Sequence, residues 1–186
     1  MKELNQYCIV HKTIMILPAF DEFGHLYSHA FEGMDVFYVK QSPLHIINDS
    51  LLQYGCDLKG AQNAAKHHLG NKNMLPIKIS SSKDIYWFPH KSPKSLDCTW
   101  FAVHHILDAR TINKNKTEVV LNFGHTIELD LKEKYLKEKI QRTRELKRKI
   151  EEPDKMRLFY YDSHVGFQIV KDSQNIHYKI KNRKER

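Results

Sequence analysis

Residues 131–150 hold twelve charged side chains among twenty, with neither glycine nor proline to interrupt them. A segment of that kind is strongly helix-forming but has few groups to bury. It can lie against a core only along one narrow stripe. Leu131, Tyr135, Ile140, Leu146 and Ile150 are the candidates for that irregular stripe, and Pro153 is expected to end the helix. The rest of the chain must therefore supply most of the core. With 186 residues and 41% hydrophobic composition it has the material for one folded domain and a small appendage.

The charge of this segment is lopsided. Lys132, Lys134, Lys137, Lys139, Arg142, Arg144, Lys147, Arg148 and Lys149 outnumber Glu133, Glu138 and Glu145, an excess of six within a chain whose net charge is +8. One reading is a solvated helix laced with i,i+4 pairs such as Glu133–Lys137. The other is a basic face that tracks phosphates and releases their condensed counterions. The excess favours the second, with Lys132, Lys139, Arg142, Arg144, Lys147 and Arg148 as expected contacts. A second scatter of lysines, including Lys59, Lys66 and Lys78, lies among Asn63, Asn71 and Asn73. Lys and Asn are residue types that read the minor groove, although ordinary loop polarity is the simpler explanation of this scatter taken alone.

Elsewhere the pattern alternates between β and α. Ile9–Val10 with Ile14–Leu17, Leu26–Phe31 and Val36–Val39 read as strands, the first ending at Pro18. Ser42 caps a helix opened by Pro43 and stopped at Gly55. Asp57 caps a second, which runs to Gly70 with Gly60 as a weak point inside it. Strand character returns at Ile77–Ile79, Ile85–Phe88 and Trp100–Ile106. Glu118–Leu121 and Thr126–Leu129 flank a hairpin turn at Asn122–His125. Three short apolar runs, Leu158–Tyr161, Val165–Val170 and Ile176–Ile180, follow the basic helix. The expected fold is α+β: an antiparallel β-rich core with two short helices and one long basic helix. Residues 1–152 are expected to form the domain and 153–186 the appendage.

Several chemistries are weakly represented. Cys8, Cys56 and Cys98 form no Cys-x-x-Cys pair, so neither a disulfide framework nor a zinc knuckle is indicated. His104 and His105, placed on a strand, would point to opposite faces and could not share an ion. Cys98 with His104 or His105 and Asp108 has the residue types of a thiol nucleophile and its base. Trp87 and Trp100 would stack on single-stranded nucleic acid if exposed on a basic face. Core packing is the simpler role for both tryptophans and for Cys98. No apolar run approaches the roughly 20 residues of a membrane span. His11, Lys12 and Thr13 break the only apolar stretch near the N-terminus, so a cytoplasmic location is expected.

A set of short motifs, in order and spacing, resembles the ComK family of competence transcription factors. They are Val36-Phe37-Tyr38-Val39, Pro43-Leu44 with Ile46, Gly55, Gly60, Gly70, Met74, Pro76-Ile77, Tyr86-Trp87-Phe88-Pro89 with Ser92, and Cys98 with Trp100. His105-Ile106, Asn122-Phe123-Gly124, Glu128-Leu129, and Arg142-Thr143 with Leu146 complete the set, which spans about residues 30–150. The resemblance implies a non-enzymatic activator of DNA-uptake genes, working at the nucleoid without a cofactor. It implies AT-rich double-stranded DNA as the ligand, read at paired boxes through the minor groove by a homodimer that assembles further. RNA polymerase and a Clp-protease adaptor are the implied protein partners. Leu158, Phe159, Tyr160 and Tyr161 resemble the adaptor-binding motif but lack the proline that ends it in the family.

Overall fold

The computed structural model describes residues 2–155, 167–171 and 178–182. The chain divides into two units, residues 1–154 and 155–186. The larger is α+β, with three helices and two sheets. Its main sheet contains β1 (Lys2–Leu4), β2 (Thr13–Phe20), β3 (Leu26–Glu32), β4 (Asp35–Val39), β5 (Ile77–Ser80), β6 (Ile85–Pro89) and β7 (Trp100–Ala102). They lie in the order β1-β4-β3-β2-β7-β6-β5. Only β1 is parallel to its neighbour, β4; the other pairings are antiparallel.

The reason for two layers of cover is written in β6. All five of its residues are buried. Ile85 and Trp87 enter one core with Ile16, Ile46, Leu51 and Trp100. Tyr86 and Phe88 enter a second core with Met15, Phe101, Leu121, Leu136 and Ile140. A strand that is apolar on both sides needs cover on both. Helices α1 (Pro43–Gln53) and α2 (Leu58–Leu69) supply the first cover. A small antiparallel sheet of β8 (Ile106–Asn113), β9 (Lys116–Leu121) and β10 (Thr126–Leu129), together with α3 (Glu133–Lys155), supplies the second. A register shift between Thr13 and Met15 in β2 puts both Ile14 and Met15 into the second core.

The helix caps follow the sequence. Ser42 accepts from the His45 amide and Asp57 from the Gly60 amide. The glycine inside α2 has a reason: a Cβ at position 60 would lie 3.0 Å from the capping Asp57 Oδ1.

Four local expectations are corrected. Strand β2 continues through Pro18 to Phe20; beyond Ile16 its β7 flank is unpaired, where a missing N–H is tolerated. The run from Trp100 breaks at a 3₁₀ turn, Val103–His105, and a further strand, β8, follows it. Tyr135 is half exposed, and the α3 stripe instead passes through Leu136, Ile140, Thr143 and Leu146. Finally, α3 runs two residues past Pro153. A proline has a φ that suits a helix, so the helix can pass through it at the loss of one backbone donor.

In the smaller unit β11 (Phe167–Lys171) pairs antiparallel with β12 (Tyr178–Asn182), Ile169 opposite Ile180.

The stripe of α3 can be tested by truncation. Leu136→Ala should cost about 2–5 kcal/mol through lost burial and the cavity left behind. Tyr135→Ala should stay within about 0.5 kcal/mol. Urea unfolding midpoints measure both, and the opposite ranking would return Tyr135 to the core.

Candidate nucleic-acid interface

Because α3 buries one side, its opposite side is set. Lys134, Lys137, Arg144 and Arg148 recur there at helical spacing, and all four are exposed. Lys137 pairs with Glu133 at 2.5 Å and Arg148 with Glu152 at 2.9 Å. Lys132, Lys134 and Arg144 have no ion pair among the described residues. These three are therefore cations whose charge is not already compensated.

The first turns of α3 form one wall of an open groove of about 850 Å³. The other wall is the β8–β9 hairpin. Thr111, Asn113 and Lys114 face Lys134, Lys137 and Arg142 across it. Two bonds fix the angle between the walls. Thr111 Oγ1 donates to the Glu133 carboxylate, and Thr117 Oγ1 donates to the Leu131 carbonyl at 2.6 Å.

The sequence-derived cations separate in space. Lys132 and Arg142 line this groove, although Arg142 also lies 3.7 Å from Glu138. Arg144 and Arg148 stand on the outer face of α3. Lys147 is held 2.6 Å from Asp84. Lys139 is only 7% exposed, its ammonium 3.6 Å from the Met74 sulfur, and burial lowers its pKa. Lys59 and Lys66 are exposed on α2 and Lys78 is half-buried on β5, none of them at the groove. Leu158, Phe159, Tyr160 and Tyr161 lie outside the described residues.

The family model described as "ComK protein" matches residues 4–155. The chain belongs to the ComK family. It is 27% identical over 149 residues to the "Competence transcription factor" of Bacillus subtilis (strain 168), covering 80% of this chain and 77% of that protein. No solved structure matches it.

In this ComK-family chain the groups considered for other chemistry are occupied by packing. Trp87 and Trp100 are fully buried, so neither offers a face to a base. Cys98 is buried as well. Its thiol contacts the Lys91 and Thr99 carbonyls at 3.5 and 3.8 Å, and burial pushes its pKa up to about 11. A buried, protonated thiol is a poor nucleophile. His104 and His105 sit on the 3₁₀ turn rather than on a strand, and both direct Nε2 at the His11 carbonyl, at 2.9 and 2.8 Å. Asp108 is engaged by Arg110 and by the Ala109 amide. Among the described residues no cluster of three His, Cys, Asp or Glu is placed to hold a metal ion. No described helix is long and apolar enough to cross a membrane.

The hairpin wall is the part that sequence reasoning missed. Ile106 to Ile112 carries only a faint alternation, because β8 has irregularities at both ends. The signal available was the turn-forming Asn113-Lys114-Asn115 between two β-prone runs.

His90 offers a pH test of the fold near Cys98. The Thr99 amide donates to its Nδ1 at 2.8 Å, so that nitrogen carries no proton, and burial lowers its pKa to about 4. The folded state thus favours the neutral ring. Its contribution is complete above the ordinary histidine pKa of about 6.5 and is lost as pH falls toward 4, by up to roughly 3 kcal/mol. Unfolding free energy measured at pH 7 and pH 4.5 should fall less in His90→Gln than in the wild type; equal losses would count against it.

Cys98→Ser addresses the thiol directly. The variant should be less stable by about 1–3 kcal/mol, since a hydroxyl replaces a buried thiol, yet keep nucleic-acid binding. Loss of binding in a folded variant would give Cys98 a functional role.

Proposed function

We propose that this protein is a competence transcription regulator that binds AT-rich duplex DNA from the minor-groove side. The observation that carries the reading is the uncompensated charge of Lys132, just before α3, and of Lys134 and Arg144 on the helix, beside the open groove. Membership of the ComK family and the likeness to a competence transcription factor support it. Phosphate contacts from such a helix set affinity and register but carry no base information. Selectivity for A·T comes from the narrow groove, its enhanced negative potential, and the absence of the guanine amino group.

The reading is non-enzymatic and needs no cofactor. Paired boxes call for two copies of the chain, and activation calls for contact with RNA polymerase. A Clp-protease adaptor at Leu158–Tyr161 belongs to the same proposal.

Two measurements test it. In mobility-shift titrations at fixed salt, AT-box duplexes should bind more tightly than GC-rich ones of equal length, and a minor-groove ligand should compete. Equal affinities, or competition by major-groove ligands alone, would refute the minor-groove reading. Replacing Lys132, Lys134 and Arg144 with Gln should weaken both duplexes by similar factors. The slope of log K against log salt should become shallower by about 0.9 for each phosphate that is no longer neutralised. An unchanged slope would remove α3 from the interface.

A further inference from the structure

We infer that the tip of the β8–β9 hairpin, Asn113-Lys114-Asn115, is the element that reads base edges in the minor groove. The inference rests on the duplex-binding reading above and adds to it the residues that confer selectivity.

Size decides between the two walls of the groove. An α-helix with its side chains is about 10–12 Å across. The minor groove is about 6 Å wide and narrower in A-tracts. Helix α3 is therefore confined to the phosphate rim. A hairpin tip is different: only its turn residues lead, and one or two side chains projecting from the turn can enter where the body of a helix cannot.

The chemistry of the tip matches that position. Asn113, Lys114, Asn115 and Lys116 are all exposed. The Asn115 amide donates to Asn113 Oδ1 at 3.0 Å, which braces the turn and engages the Asn113 oxygen rather than its NH₂ group. Lys114 has no ion pair among the described residues, whereas Lys116 lies 4.0 and 3.8 Å from Glu128 and Asp130. The tip thus presents donors: one free ammonium and two carboxamide NH₂ groups. A·T pairs show only the adenine N3 and thymine O2 acceptors in this groove, and a guanine would set its own N2 donor against them. Ile112, 47% exposed just behind the turn, offers an apolar surface to the sugars at the groove edge.

The arm is also aimed. The bonds from Thr111 and Thr117 that tie the hairpin to the start of α3 hold the tip at one angle to the helix face. Phosphate contact by α3 and entry of the tip then occur in a single docking pose, with the open groove between them receiving one sugar–phosphate strand.

The double variant Lys114→Ala/Asn115→Ala leaves Asn113 in place to brace the turn. Measured against AT-box and GC-rich duplexes at fixed salt, its AT-over-GC preference should fall at least about fivefold, mainly through weaker AT binding. A wild-type preference ratio in the folded variant overturns the inference while leaving the duplex reading intact. Absence of any AT preference in the wild-type protein overturns both. A second measurement does not depend on tolerance of the alanines. Lys114→Cys in a Cys8→Ser/Cys56→Ser background, carrying an iron chelate, should cleave the AT box on both strands with a 3′ offset, the pattern of a radical source in the minor groove. A 5′ offset, or no cleavage in a bound complex, overturns it.

Discussion

The two-sided burial of β6 and β7 is the constraint on which the rest of the molecule depends. Trp87 and Trp100 fill one core, Tyr86, Phe88 and Phe101 the other, and all five are essentially inaccessible to solvent. Each large aromatic contributes several kcal/mol when fully buried, but only if both faces of the sheet are covered. Helices α1 and α2 meet that requirement on one side. On the other, no single element is apolar enough, so the small sheet and one stripe of α3 share the work.

Use of α3 as a lid determines its electrostatics. The stripe through Leu136, Ile140, Thr143 and Leu146 turns Lys134, Lys137, Arg144 and Arg148 outward. Near its C-terminal half the helix meets α2 through Ala65, Leu69 and Leu146, and Lys149 Nζ donates to the His68 carbonyl at 2.9 Å. Basic side chains there are drawn into structural contacts: Lys147 to Asp84, Lys149 to Glu145 and His68. At the N-terminal end the neighbours are the hairpin and open solvent, and Lys132 and Lys134 keep their charge available. The helix is thus a strut along its inner side and a charged surface along its outer one.

Histidines join distant segments in a similar division of labour. His11 precedes β2, while His104 and His105 lie on the turn before β8; the His11 and His104 rings stack at 4.4 Å, and the His105 ring lies tilted against His104 at 4.2 Å. Asn122, in the β9–β10 turn, lies 3.0 Å from His105 Nδ1. Burial lowers the pKa of both His104 and His105, so the neutral rings act as hydrogen-bonding wedges between the main sheet and the small one. The small sheet carries the hairpin, and this junction helps set its position.

Much of this architecture was determined by sequence alone. The caps at Ser42 and Asp57, the turn at Asn122–His125, the apolar run of β6 and the basic helix all depend on signals that act within a few residues, and each formed where those signals lie. Tertiary structure decided what local signals do not encode. It put Leu136 rather than Tyr135 on the stripe, buried Lys139, and paired Lys147 with Asp84 sixty-three residues away. It also raised Asn113-Lys114-Asn115 beside α3, from a strand whose two irregularities blur its alternation. The physical reason is the range of the forces. Capping and helical periodicity are properties of neighbouring residues, whereas the availability of a charge depends on every carboxylate and apolar surface that folding brings within a few ångströms.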